Sequence, residues 1–218
     1  MHLAKLYKNF DSRCKSYDQR LGDILKKKNG LSEWEFNYLT EVLVSDIWQS
    51  WSHFCRVLII WSCQGAKARD GSVISKRTGN SSRKRIAYEA SIATSNGSKV
   101  AKPSGHLNFL MRHEPTWGDI DVFLKVVTSL APANKNNLLT IYGSFTSLKD
   151  LQRLRNACAH KNVESMQDLQ KLTSSYKFSK LKYATELAWK PSILGSEYAV
   201  ELWLYEMNLI ADYATSKN

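Results

Sequence analysis

Leu3, Leu6, Tyr7, Phe10, Cys14, Tyr17 and Leu21 recur at near-helical spacing and predict a first helix that stops near Lys26-Lys27-Lys28-Asn29-Gly30. Basic residues there suit a helix C-terminus. Ser32 with Glu35 forms a capping box, and Leu31 with Phe36 a hydrophobic staple, so a second helix begins at Ser32. Along it Ile47, Trp51, Phe54, Leu58 and Trp61 step by four and three, while Val44, Trp48, Cys55 and Ile59 widen the stripe. Such width predicts burial against several partners, as in a bundle.

From Gly65 to Lys102 the pattern dissolves into Ser, Gly, Asn, Lys and Arg, with one apolar island at Ile86-Ala87-Tyr88 and Ile92-Ala93. This predicts a long, mobile excursion. Helical readings resume at Leu107 to Met111 and at Trp117 to Leu130, where Thr116 and Asp119 can cap and Pro132 closes the unit. Ser147 with Asp150 opens another helix, packed through Leu148, Leu151 and Leu154. A final one runs around Tyr198, Leu202, Tyr205, Leu209 and Tyr213, shadowed by Trp203, Met207 and Ile210. Leu31 to Cys63 and Ser144 to Lys190 contain no Gly or Pro, which makes helix their default. No internal repeat, Gly-rich phosphate loop or strand alternation is present. The fold class expected is therefore all-α: a single helical domain over 1–218 with a basic, flexible insertion at about 65–102.

Composition supports this picture, since 218 residues with 43% hydrophobic content and seven Trp suffice for a real core. The longest wholly apolar run, Val57-Leu58-Ile59-Ile60-Trp61, falls far short of the roughly 18 residues of a membrane span. Cys14, Cys55, Cys63 and Cys158 make no CxxC pair, and Met1-His2-Leu3-Ala4-Lys5-Leu6 lacks an apolar signal core, so the cytoplasm is the expected location. Net charge is +11, and its distribution is uneven. Between Gly65 and Lys102, Lys67, Arg69, Lys76, Arg77, Arg83, Lys84, Arg85, Lys99 and Lys102 meet only Asp70 and Glu89. Clustered cations of this kind suit nucleic acid, with Lys76, Arg77, Arg83, Lys84 and Arg85 as the expected phosphate contacts. The tyrosines and tryptophans fall mostly on helical stripes and read as core.

Candidate chemistry concentrates in Leu154-Arg155-Asn156-Ala157-Cys158-Ala159-His160-Lys161-Asn162. An arginine to hold phosphate and a histidine to move protons are the minimum equipment for cutting RNA without a metal. Arg155 would clamp phosphate through its planar fork, Asn156 would orient the scissile group or the histidine, and His160 would transfer a proton as base or acid. Arg153 satisfies the spacing too, but Leu154 follows it, so it ranks second; with Lys161 it joins the expected nucleic-acid contacts. At about 100° per residue, His160 lies about 140° round the helix from Arg155. The two converge only if the helix bends or ends near His160, or if two copies of the motif face one another. Cys158 lacks a dedicated base, and His106 and His113, even with Glu114, are joined by no further strong ligand at a recognisable spacing, so neither thiol nor metal chemistry is expected and no cofactor is implied.

The Arg-x(4–6)-His pattern with a polar residue after the Arg resembles the catalytic signature of the HEPN ribonuclease superfamily. The resemblance covers about thirty residues closely and implies a helical homodimer whose Arg and His residues form one composite cleft that cleaves RNA without a metal. It further implies a toxin or anti-phage effector, with an inhibitor, antitoxin or sensor protein as a partner. The rival reading is a non-catalytic helical module that binds nucleic acid or a protein within a larger complex.

Overall fold

The structure, a computed structural model, describes residues 1–95 and 100–217. Eight α-helices and a two-stranded sheet are present among them: α1 Leu3–Lys27, α2 Glu33–Gln64, β1 Ala66–Lys67, β2 Val73–Ile74, α3 Arg83–Thr94, α4 Ile120–Leu130, α5 Lys135–Gly143, α6 Leu148–His160, α7 Val163–Gln170 and α8 Ala199–Ser216. The class is all-α. The chain forms two compact units, one of Met1–Phe10, Trp51–Phe145 and Ile210–Asn218, the other of Asp11–Ser50 and Thr146–Leu209.

In the first unit, apolar positions of α2 and α4 bring rings together: Phe10 meets Phe54 at 4.7 Å and Phe123 stacks on Tyr142 at 3.7 Å between centroids. The indole Nε1 of buried Trp51 donates to the Gly118 carbonyl at 3.0 Å, satisfying its one polar atom. Asp119 caps α4 by accepting from the Val122 amide at 3.1 Å.

The segment expected as a long, mobile excursion over 65–102 carries regular structure at three places. β1 and β2 pair antiparallel through Ala66–Ile74 and Lys67–Val73, with Gly71 taking the left-handed conformation (φ +92) that turns the chain between them. Ser82 then caps α3, accepting from the Arg85 amide at 3.3 Å, and Ile86, Ala87 and Ala90 form its buried face while Tyr88, Ile92 and Ala93 are half-buried. The cations conceal this helix in the sequence because two of them, Arg77 and Arg85, grip the carboxylate of Glu89. Lys99 lies outside the described residues. Leu107 to Met111 is likewise corrected: turns run to Asn108, and a short 3-10 segment begins only at Met111 and ends at His113.

The second unit packs Cys14, Tyr17, Leu21 and Ile24 of α1 and Leu43, Val44, Ile47 and Trp48 of α2 into its core. The capping box at the start of α2 is present: the Ser32 amide donates to Glu35 Oε2 at 2.8 Å and the Glu35 amide donates to Ser32 Oγ at 3.3 Å. α6 packs on α7 and on a 3-10 segment at Ala184–Trp189. Breaker-free composition therefore did not yield unbroken helix over 144–190. Ser147 also departs from its expected role, because its backbone is already helical and its hydroxyl donates to Glu206 instead of capping α6. α8 buries Ala199, Val200, Trp203, Leu204 and Met207 in this unit, so the stripe taken as the shadow is the core face and Tyr205 points outward.

Candidate active site

α6 carries the motif on a regular helix whose buried edge is Leu148, Leu151, Leu154, Ala157 and Cys158. It ends immediately after His160, where Lys161 adopts the left-handed conformation (φ +49) and its amide donates to the Ala157 carbonyl at 3.0 Å. Asn162 is extended and caps α7, accepting from the Ser165 amide at 2.9 Å. A non-glycine residue in the left-handed region is disfavoured, so this sharp break is held by the caps on both sides. It leaves His160 exposed on the last helical position.

Arg155 and Asn156 are half-buried, and the Arg155 guanidinium donates to Asn156 Oδ1 at 3.2 Å. Among the described residues Arg155 has no carboxylate partner and His160 no hydrogen-bonded one. Arg153 differs: it pairs at 3.0 Å with Asp150, a buried carboxylate that also accepts from the Tyr176 hydroxyl at 3.2 Å. Trp203 Nε1 donates in turn to Tyr176 Oη at 2.9 Å. Burial pushes the pKa of Asp150 up, the Arg153 charge and the Tyr176 hydrogen bond opposing the shift. Arg153 thus belongs to a network with a buried carboxylate, while the hydrogen bond of the Arg155 guanidinium goes to a neutral amide.

α6 runs as continuous helix from Leu148 to His160, so Arg155 and His160 project about 140° apart and about 7.5 Å along the axis. The helix does end at His160, yet within one chain the two do not converge. Cys158 is buried, and desolvation followed by the nearby Glu41 carboxylate pushes its thiol up to about 12, which removes it as a nucleophile at neutral pH.

The basic residues of the first unit divide. Arg77 and Arg85 have side chains only 11% and 13% exposed, both paired with Glu89; Arg77 also donates to the Asn80 carbonyl and Arg85 to those of Lys102 and Pro103. Lys76, Arg83 and Lys84 are exposed, Lys84 reaching the Leu107 carbonyl at 2.6 Å. Glu114 is taken by Arg56 and Trp117, and among the described residues no group of three or more His, Cys, Asp or Glu could hold a metal.

A feature the sequence reading missed lies beside the motif. A cavity of about 460 Å³ in the second unit is lined by Glu33, Trp34, Tyr38 and Glu41 of α2, by Ala157, Cys158 and Lys161 at the end of α6, and by Lys182 and Tyr183. Most tyrosines and tryptophans read as core, yet Trp34 and Tyr38 are 71% and 54% exposed and stack on each other at 5.4 Å. Their sequence signal was their place among Glu33, Asn37 and Glu41, on the polar side of the α2 stripe. Neither protein-family models, nor characterised proteins, nor solved structures give a significant match to this chain.

Proposed function

We propose that this protein is a metal-independent endoribonuclease of HEPN type, acting in the cytoplasm as a toxin or anti-phage effector and working as a homodimer. The observation that carries the reading is the motif's presentation: His160 exposed on the last position of α6, and Arg155 tethered by neutral Asn156 rather than neutralised by a carboxylate. In RNA cleavage the ribose 2′-oxygen attacks the adjacent phosphorus, the bond to the 5′-oxygen breaks, and a 2′,3′-cyclic phosphate and a 5′-hydroxyl result. The 2′-hydroxyl proton must leave and the 5′-oxygen must receive one; His160 serves as one of these transfer groups. Negative charge accumulates on the phosphate oxygens, where the Arg155 fork stabilises it through two parallel N–H donors. Asn156 holds that fork in place.

The test is incubation of purified protein with a defined RNA in EDTA, with His160→Ala as control. Cleavage is expected to persist in chelator, to leave cyclic phosphate ends and to fall about 10²–10⁴-fold in the variant. Wild-type protein that is inert toward diverse RNAs overturns the assignment and favours the non-catalytic binding module, while a variant that cuts normally overturns the catalytic role of His160.

A further inference from the structure

We infer that the cavity beside the motif is a subsite for an unpaired, amino-bearing nucleobase of single-stranded RNA. The inference rests on the ribonuclease reading for the nature of the substrate. Its volume of about 460 Å³ falls within the about 300–1,000 Å³ of small-ligand sites. Trp34 and Tyr38 lie one helical turn apart with their ring planes only 7° from parallel, and both remain largely in water. Exposed flat rings are what single-stranded nucleic acid uses, because every base offers a π-face for stacking.

The polar lining narrows the choice. Glu33 is held below the usual carboxylate range, first by the Lys182 hydrogen bonds at 2.9 Å, and it also accepts from the Tyr183 hydroxyl at 3.3 Å. Glu41 faces the same cavity with a looser partner, Lys161 at 3.3 Å. An ionised carboxylate only accepts hydrogen bonds, so it favours the exocyclic amino group of adenine, cytosine or guanine over the carbonyl edge of uracil. Lys161 directly follows His160 and can leave Glu41 for the phosphate next to a seated base. A base in this cavity would therefore place its neighbouring phosphate toward the end of α6, and a concave, mixed-charge site fits a splayed base better than a flat protein partner.

The experiment titrates the full chain with short oligo(A), oligo(C) and oligo(U) ribonucleotides, read by fluorescence anisotropy of labelled RNA. Trp34→Ala is expected to weaken oligo(A) binding about 5–150-fold, the span of one lost base stack, with Trp34→Phe restoring most of it. Glu41→Gln is expected to erase the preference for oligo(A) and oligo(C) over oligo(U). Trp34→Ala and Tyr38→Ala proteins that keep wild-type circular dichroism and bind all oligomers normally overturn the proposal. So does a fall in mass by light scattering with RNA affinity unchanged, which would make the rings a contact between copies. Unaltered kcat/KM in Trp34→Ala sinks the subsite alone. Stacking-dependent binding by a wild-type chain that never cleaves sinks the nuclease reading and leaves the subsite standing.

Discussion

At the residue scale, the two arginines of the motif helix are separated by what each touches. Arg153 answers a buried carboxylate, Asp150, that burial drives toward the neutral form, whereas among the described residues the Arg155 guanidinium hydrogen-bonds only to the amide oxygen of Asn156. Arg155→Ala is therefore expected to reduce single-turnover RNA cleavage about 10²–10³-fold, the usual effect of losing one donor to developing charge, with little change in melting temperature. Arg155→Lys should recover little, since a single ammonium cannot make the paired contact. Arg153→Ala is expected to do the reverse: cleavage within about tenfold of wild type, and stability lower by about 1–3 kcal/mol because Asp150 loses a hydrogen-bonding partner. Parallel kinetics and denaturant melts decide it. Cleavage abolished by Arg153→Ala alone would transfer the phosphate role to that residue.

At the scale of elements, the buried carboxyls of α6 and α8 contribute a pH-dependent part of the stability. Ser147 donates to Glu206, and burial raises the Glu206 pKa, outweighing that hydrogen bond, with the Asp150 charge adding to the rise. A carboxyl with a raised folded-state pKa binds its proton more tightly in the folded chain. The resulting stability is complete below the unfolded pKa and is lost as pH climbs through the folded one. Glu206→Gln removes that titration while keeping an oxygen for Ser147, so its melting temperature should exceed that of wild type near pH 7 by on the order of 1–3 °C and converge with it near pH 4. Equal melting differences at both pH values would show that Glu206 ionises freely. The same elements show what the sequence revealed. α1, α2 and α4 were legible because broad apolar stripes and explicit caps mark them. α3 escaped because only Ile86, Ala87 and Ala90 of its residues are buried and cations surround them; the pairing of Arg77 and Arg85 with Glu89 is a tertiary fact. The end of α6 was ambiguous because Lys161 takes a conformation usually signalled by glycine. The motif itself was readable, while the aromatic cavity next to it depends on segments far apart in sequence.

At the scale of the whole molecule, the basic segment and the motif lie in different units, and each makes its own prediction. Lys76, Arg83 and Lys84 are exposed, so replacing all three by Ala should flatten the salt dependence of RNA binding by about two units, at roughly 0.7 per phosphate released on single strands. An unchanged slope would mean that this surface serves something other than RNA. The motif raises the larger question, because Arg155 and His160 project about 140° apart on one continuous helix. The proposed symmetric dimer would answer it by setting the arginine of one protomer against the histidine of its partner. Light scattering is then expected to give twice the chain mass of 24.9 kDa. Arg155→Ala and His160→Ala proteins, each inactive alone, should recover about a quarter of wild-type cleavage when mixed and allowed to reassort. Half of the dimers would be mixed, and each mixed dimer keeps one intact pairing out of two. If both residues act within a single chain, every protomer in the mixture carries a lesion and no activity returns. A strict monomer that still cuts RNA would overturn the composite site outright.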